Sequence, residues 1–166
     1  MTCNQTLQKA GVMEFGSIER EIHVDASPEI VFKVISSPQH MREWWNGVET
    51  DLSPTAGAVA ELAWGRETAQ SYIEHLTVVE AEPPRVFSFR WVYEGGAVAD
   101  ATNSLLVTFE LVPSGAGTLI RLTESGFREK AWEIATLEAA YADHSNGWDI
   151  FIPSLGAYVT RLVSTS

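Results

Sequence analysis

The alternation of apolar and polar positions changes period along the chain, and the changes mark out its elements. From Ser17 to Val24 the period is two: Ile18, Ile22 and Val24 share one parity and Glu19 and Glu21 the other, as in a half-buried strand. Asp25-Ala26-Ser27-Pro28-Glu29 then opens a helix. Ser27 suits the capping position, Pro28 the first helical position, and Glu29 the first turn, where the helix dipole favours an acid. Ile30, Val31, Val34 and Ile35 form its apolar stripe. Pro38 ends this helix and starts a second short one, Gln39 to Trp45, closed by Asn46-Gly47.

Six strands are predicted next: Val48 to Leu52, Ala58 to Trp64, Gln70 to Ala81, Arg85 to Tyr93, Asn103 to Val112 and Thr118 to Ser125. The breaks between them carry turn chemistry, at Ser53 to Gly57, Pro83-Pro84, Gly95-Gly96 and Pro113 to Gly117. Connections this short join antiparallel neighbours. Phe87, Phe89, Trp91 and Tyr93 share a face, as do Leu105, Val107, Phe109 and Leu111, opposite Thr108 and Glu110. One face of the sheet is therefore apolar and needs a cover. Trp148, Ile152, Leu155, Val159 and Leu162 recur at helical spacing and supply it, widened by Phe151 and Tyr158. Pro153 inside this run is expected to kink or restart the helix. Glu129 to Tyr141, rich in Ala, Glu and Leu, reads as helical too, with His144 and Asn146 as caps near the start of the terminal helix.

The expected fold class is α+β: a curved antiparallel sheet wrapped around a long C-terminal helix, with two short helices after the first strand. Residues 1–16 read as a loose tail and 17–166 as a single domain.

Charge and composition narrow the function. Twenty-two acids against eleven bases give a formal charge of -11, and the bases are scattered from Lys9 to Arg161 without the cluster a nucleic-acid surface needs. No apolar run is long enough for a membrane span, and the first sixteen residues lack the apolar stretch of a signal peptide. Cys3 is the single cysteine, so an intrachain disulfide is impossible, and a cytoplasmic location is expected. His23, His40, His75 and His144 are remote from one another, with no metal-binding spacing, and no nucleophile elbow or phosphate loop occurs. The expectation is no metal and no cofactor.

Six tryptophans remain as the unusual feature. Parity and helix spacing let Trp45, Trp64, Trp91 and Trp148 converge beneath the terminal helix, with Phe89, Phe151 and Ile152 beside them. Aromatic rings with a few polar tips suit an apolar small molecule, although the same rings could simply fill the space. Ala58, Ala60, Ala63, Gly156 and Ala157 favour a real void. Two titratable residues are candidates for orienting a ligand or for acid–base work. His75 shares parity with Ile73, Thr77 and Val79 and is expected on the core side; Glu124 lies with Ile120 and Leu122 on the inward parity of the last strand. Glu19, Glu21, Glu49, Glu61 and Glu74 read as a solvated face.

Several phrases together carry a resemblance. Ile22 to Phe32 (IHVDASPEIVF), Trp44-Trp45 after the short helices, Val78 to Trp91 (VVEAEPPRVFSFRW), Thr123 to Phe127 (TESGF), and His144 with Gly147-Trp148 occur in this order. The chain resembles the START/Bet v 1-like (SRPBCC) superfamily, in its activator of heat-shock-protein-90 ATPase homologue (AHSA-type) branch. The resemblance spans Ser17 to Leu162; Pro153 and the Ala- and Glu-rich segment before Gly147 depart from the usual pattern, so the cavity mouth is where the likeness is weakest. It implies a helix-grip fold with a hydrophobic cavity, in a superfamily whose members bind apolar small molecules, act as cyclases or activate a chaperone. Three functions follow in order of preference. The first is binding of an apolar, aromatic or polyketide-like molecule through Trp45, Trp64, His75, Phe89, Trp91, Trp148, Phe151 and Ile152. The second is a cyclase- or hydrolase-type enzyme using His75 and Glu124. The third is a chaperone ATPase co-activator; a homodimer is compatible with each.

Overall fold

The computed structural model describes residues 16–65, 68–69, 71–92, 104–127 and 134–164. The predicted tail therefore lies, Gly16 apart, outside the described residues, as do Gln70, Tyr93, the Gly95-Gly96 break, Asn103 and the first residues of the Glu129 to Tyr141 segment.

The chain begins with β1 (Ser17–Val24), followed by α1 (Pro28–Ser36) and α2 (Pro38–Trp44). The α1 start is the one its sequence specifies: Ser27 holds extended backbone angles and its hydroxyl accepts from the Ile30 N–H. Val31, Phe32, Val34 and Ile35 are buried, whereas Ile30 faces outward. The chain leaves α2 through Asn46 and Gly47, both at positive φ (54° and 72°), a conformation that Asn and Gly tolerate better than other residues.

Six strands follow: β2 (Glu49–Thr50), β3 (Val59–Trp64), β4 (Tyr72–Glu82), β5 (Val86–Val92), β6 (Ser104–Ser114) and β7 (Gly117–Ser125). With β1 they form one curved antiparallel sheet in the order β1-β7-β6-β5-β4-β3-β2. Its concave face carries Ile18, Leu62, Leu76, Val78, Phe87, Phe89, Val107, Phe109, Ile120 and Leu122, all buried. A register shift between Val78 and Glu80 lets β4 change which residues point inward, so that Ala81 pairs with Phe87 beyond it.

The cover is α3 (Ile134–Ser164), a single 31-residue helix. Two expectations are corrected by it. Of the kink or restart expected at Pro153 the restart does not occur, and His144 and Asn146 lie well inside the helix rather than capping it. Pro153 removes one N–H and leaves the carbonyl one turn earlier unpaired, but Asp149, Ile150 and Pro153 all face solvent, where water can take that bond. On the opposite side Trp148, Ile152, Leu155 and Val159 are buried, so both halves are held to the sheet. Polar ties add register. Arg20 of β1 donates to the Asp149 carboxylate at 2.9 Å and to the Ser145 hydroxyl at 2.8 Å, and the Tyr141 hydroxyl donates to the Ser17 carbonyl at 3.0 Å. His40 of α2 lies 2.7 Å from the Tyr158 hydroxyl. Gly156 lets the helix approach β1: a Cβ there would sit 2.5 Å from Ile22 Cδ1.

Candidate functional site

Between α3 and the β3–β5 side of the sheet lies a cavity of about 530 Å³. That falls within the usual range of small-molecule sites, ~300–1,000 Å³. Each wall follows from an element already described. Trp45 comes from the end of α2, Trp64 and Tyr72 from a cross-strand pair of β3 and β4, Trp91 from β5, and Trp148 and Phe151 from α3.

Trp45 is the hub of the aromatic wall. Its ring lies 5.3 Å from Trp44 in a parallel stack, 5.3 Å from Trp91, 5.7 Å from Trp64 and 5.7 Å from Trp148. Tyr72 stacks on Trp64 at 5.0 Å. Four of the indole N–H groups have partners among the described residues. Trp44 donates to the Val34 carbonyl at 2.9 Å and Trp64 to the Trp45 carbonyl at 3.0 Å. Trp91 and Trp148 both donate to Glu124, at 2.8 and 2.9 Å.

Glu124 is the electrostatic centre of the site. It is fully buried on β7, and besides the two indoles it meets His144 Nδ1 at 2.9 Å. A carboxylate withdrawn from water is costly unless its lone pairs are filled and its charge is matched, and these three donors do both. His144 in turn is packed edge-on against Trp91 and Phe127. Burial alone would pull its pKa down, but the Glu124 hydrogen bond and charge, helped by Asp143 and Glu74, raise it above the ordinary histidine value. The imidazolium form is thereby favoured, with Nδ1–H on Glu124. Nε2 has no protein partner among the described residues, and His144 lines the cavity.

Glu74 and Asp143 complete the polar part of the wall with Asn46. Burial pushes the Glu74 carboxyl up, and Asp143 adds to this against the opposing charges of His144 and His75. Burial, Glu74 and Asp143 likewise raise the Tyr72 hydroxyl. Among the described residues no three His, Cys, Asp or Glu side chains are grouped to share a metal ion.

The sequence candidates sort clearly against this geometry. Trp45, Trp64, Trp91, Trp148 and Phe151 line the cavity. Phe89 and Ile152 are buried in the packing behind it, Phe89 against Trp45 and Trp91. His75 does not reach the cavity. Ile73 and Val79, which share its parity, are both about half exposed, and the inward set on β4 is Glu74, Leu76 and Val78. His75 instead faces outward, 3.9 Å from its cross-strand neighbour Glu61. Glu124 and His75 are therefore not a pair; Glu124 and His144 are. Glu74, expected on a solvated face, lines the cavity. The small residues expected to make the void do not line it either: Ala140 and Gly147 of α3 do so, while Gly156 packs on Ile22 and Ala157 faces solvent. The signal for the missed residues was in the helix spacing, since Ala140, His144, Gly147, Trp148 and Phe151 fall on one face once α3 is extended backward past Trp148.

With the cavity described, its family can be stated. The sequence profile of the activator of Hsp90 ATPase homolog 1-like proteins matches residues 25–160. The chain belongs to this AHSA1 family. Solved structures agree in fold. Protein MLL2253 from Mesorhizobium loti is 22% identical with a TM-score of 0.70, the match covering 87% of this chain and 97% of that one. The Aha1 protein from Colwellia psychrerythraea, solved in solution as a dimer, is 17% identical with a TM-score of 0.63 over 86% and 95% of the two chains. DynU16, a protein of the dynemicin biosynthetic locus, is 20% identical with a TM-score of 0.63; the match covers 87% of this chain and 47% of that one. Identities this low establish the AHSA1 fold and no activity. Among curated proteins none matches the sequence at a significant level. No helix of the described AHSA1 chain is long and apolar enough to cross a membrane.

Proposed function

We propose that this AHSA1-family protein binds a neutral, apolar ring compound in the cavity between α3 and the sheet. The observation that carries this reading is the wall itself: six indole, phenol and phenyl side chains (Trp45, Trp64, Tyr72, Trp91, Trp148 and Phe151) around about 530 Å³, with no lysine or arginine among the described lining residues. The rings supply apolar contact area, and His144 and Glu74 supply the few directed polar contacts that orient a ligand. A ligand burying ~200–280 Å² of apolar surface gains about 5–7 kcal/mol before the cost of its lost free motion is set against that gain. A reducing, cytoplasmic setting fits the single cysteine, and assembly as a homodimer is compatible with a cavity contained in one chain.

Titration of tryptophan emission with a panel of neutral fused-ring compounds tests the reading. Naphthalene, 2-naphthol and 2-tetralone form a suitable panel. A saturable shift is expected for at least one of them; a flat response to all three contradicts it.

A second reading, an enzyme acting in the same cavity, is favoured by one observation. Two ionisable groups, His144 and Glu74, share the wall and perturb each other's protonation.

A further inference from the structure

Glu124 occupies His144 Nδ1, so the imidazole can present only Nε2 to a molecule in the cavity. Two indoles and one imidazole converge on that carboxylate, which holds the ring in place. Glu74 reaches the same cavity from β4, and its carboxylate has no hydrogen bond or ion pair to any described residue. A half-buried carboxylate left without a protein donor, beside an imidazole with one nitrogen unused, is an arrangement that a ligand completes. The ligand must accept a hydrogen bond from Nε2 and offer a proton to Glu74. A neutral ligand suits the site, since no basic side chain among the described residues of the wall could balance an anion beyond the His144 charge already matched by Glu124.

We propose that His144 and Glu74 catalyse keto–enol proton transfer on a neutral ring ketone bound in the cavity. The proposal rests on the binding reading above. In the forward step the Glu74 carboxylate takes a proton from the carbon next to the carbonyl. The C–H electron pair becomes the new C=C bond, the C=O π pair moves to oxygen, and that oxygen takes the His144 Nε2 proton. Glu74 is left as the carboxylic acid, His144 as the neutral imidazole, and the ligand as the enol; the reverse step restores all three. No oxidant, reductant or co-reactant is consumed. The environments suit the roles: burial makes Glu74 a stronger base than an exposed carboxylate, while Glu124 keeps His144 supplied with its proton.

The probe is 2-tetralone in deuterated buffer, with loss of its C1 methylene signal followed by proton NMR and binding followed in parallel by tryptophan emission. The expected result is saturable exchange at least ~100-fold faster than in buffer, the scale of one positioned acid or base. Glu74→Gln is expected to bring exchange back to within a few-fold of buffer while 2-tetralone still binds. His144→Gln should also lose ~100-fold or more, the scale of a second positioned group. Both variants are checked for a folded state by their unfolding transitions. Binding without accelerated exchange overturns the activity and leaves the cavity reading standing, and acceleration that survives Glu74→Gln overturns the assignment of the base. Failure of 2-tetralone alone to bind overturns the ketone class. Failure of the whole panel overturns the cavity reading beneath it.

Discussion

Trp148 of the terminal helix donates its indole N–H to the fully buried carboxylate of Glu124 at 2.9 Å, tying α3 to β7 behind the cavity wall. Trp91 makes the matching bond from β5 at 2.8 Å. One carboxylate thus joins the helix to two strands of the sheet, and the cavity wall inherits its shape from that junction. In the proposed ligand site the same contact would serve stability and binding, because the rings that Glu124 holds line the cavity.

Removing Glu124 should be severe. Glu124→Ala strands two indole N–H groups and the His144 imidazolium in a water-poor space, a loss of about 3–5 kcal/mol for a broken buried pair. Urea unfolding measures this directly. A loss below about 1 kcal/mol, the range of an exposed ion pair, would show that water reaches the carboxylate.

The pH dependence of stability has a predicted sign. The folded-state pKa of His144 is raised above 6.5, so the native chain binds this proton more tightly than the unfolded one. Its contribution is therefore fully present below 6.5 and is lost as pH rises through the folded value. Glu74 acts in the same direction at lower pH, because its pKa is raised from 4.5 and its ionisation is penalised in the folded state. Urea midpoints taken from about pH 4 to 9 should show the upper decline removed in His144→Gln and the lower one reduced in Glu74→Gln. Unaltered profiles in both variants would contradict the assignment.

The approach of α3 to β1 depends on Gly156. A Cβ there meets only the flexible end of Ile22, so Gly156→Ala should be close to neutral, helped by the better helix propensity of alanine. Gly156→Leu cannot be absorbed so easily and should cost about 1–3 kcal/mol by overpacking. Adding Ile22→Ala should recover part of that cost; a double variant no more stable than Gly156→Leu would show that the two positions do not share the space.

Pro153 offers the opposite case. It lies exposed within a continuous helix, where it forfeits one backbone hydrogen bond. Pro153→Ala should raise stability by up to about 3 kcal/mol, read as a higher unfolding midpoint. An unchanged or lower midpoint would show that the helix is shaped around the ring.

How much of this was legible beforehand depended on how many signals agreed. The α1 start had cap, proline and first-turn acid all pointing one way, and β5 and β6 had four apolar residues in register. The order of elements and the helix cover followed from these. β4 was different. Ile73 and Val79 are apolar residues on the outer face, and a register shift after Val78 changes the parity midway, so counting apolar residues turned His75 inward and Glu74 outward. In α3 the obstacle was Pro153 together with the polar run around His144, which made one 31-residue helix look like two. The cavity face of that helix lies at the seam, so Ala140 and Asp143 go unread and His144 reads as a cap. The convergence of Trp45, Trp64, Trp91 and Trp148 needed only parity and spacing; that Glu124 holds Trp91 and Trp148 needed coordinates.

The central claim is that the space under α3 is a ligand site, and calorimetric titration with 2-tetralone, 2-naphthol and naphthalene, in the parent protein and in Ala140→Phe, tests it most directly. Ala140 lines the cavity, so the larger ring should fill it without touching the Glu124 junction. One-to-one saturable binding is expected for at least one compound, weakened at least ~10-fold (about 1.4 kcal/mol) by Ala140→Phe while the unfolding midpoint stays close to that of the parent. Binding of equal strength in both proteins, or none in either, would contradict it.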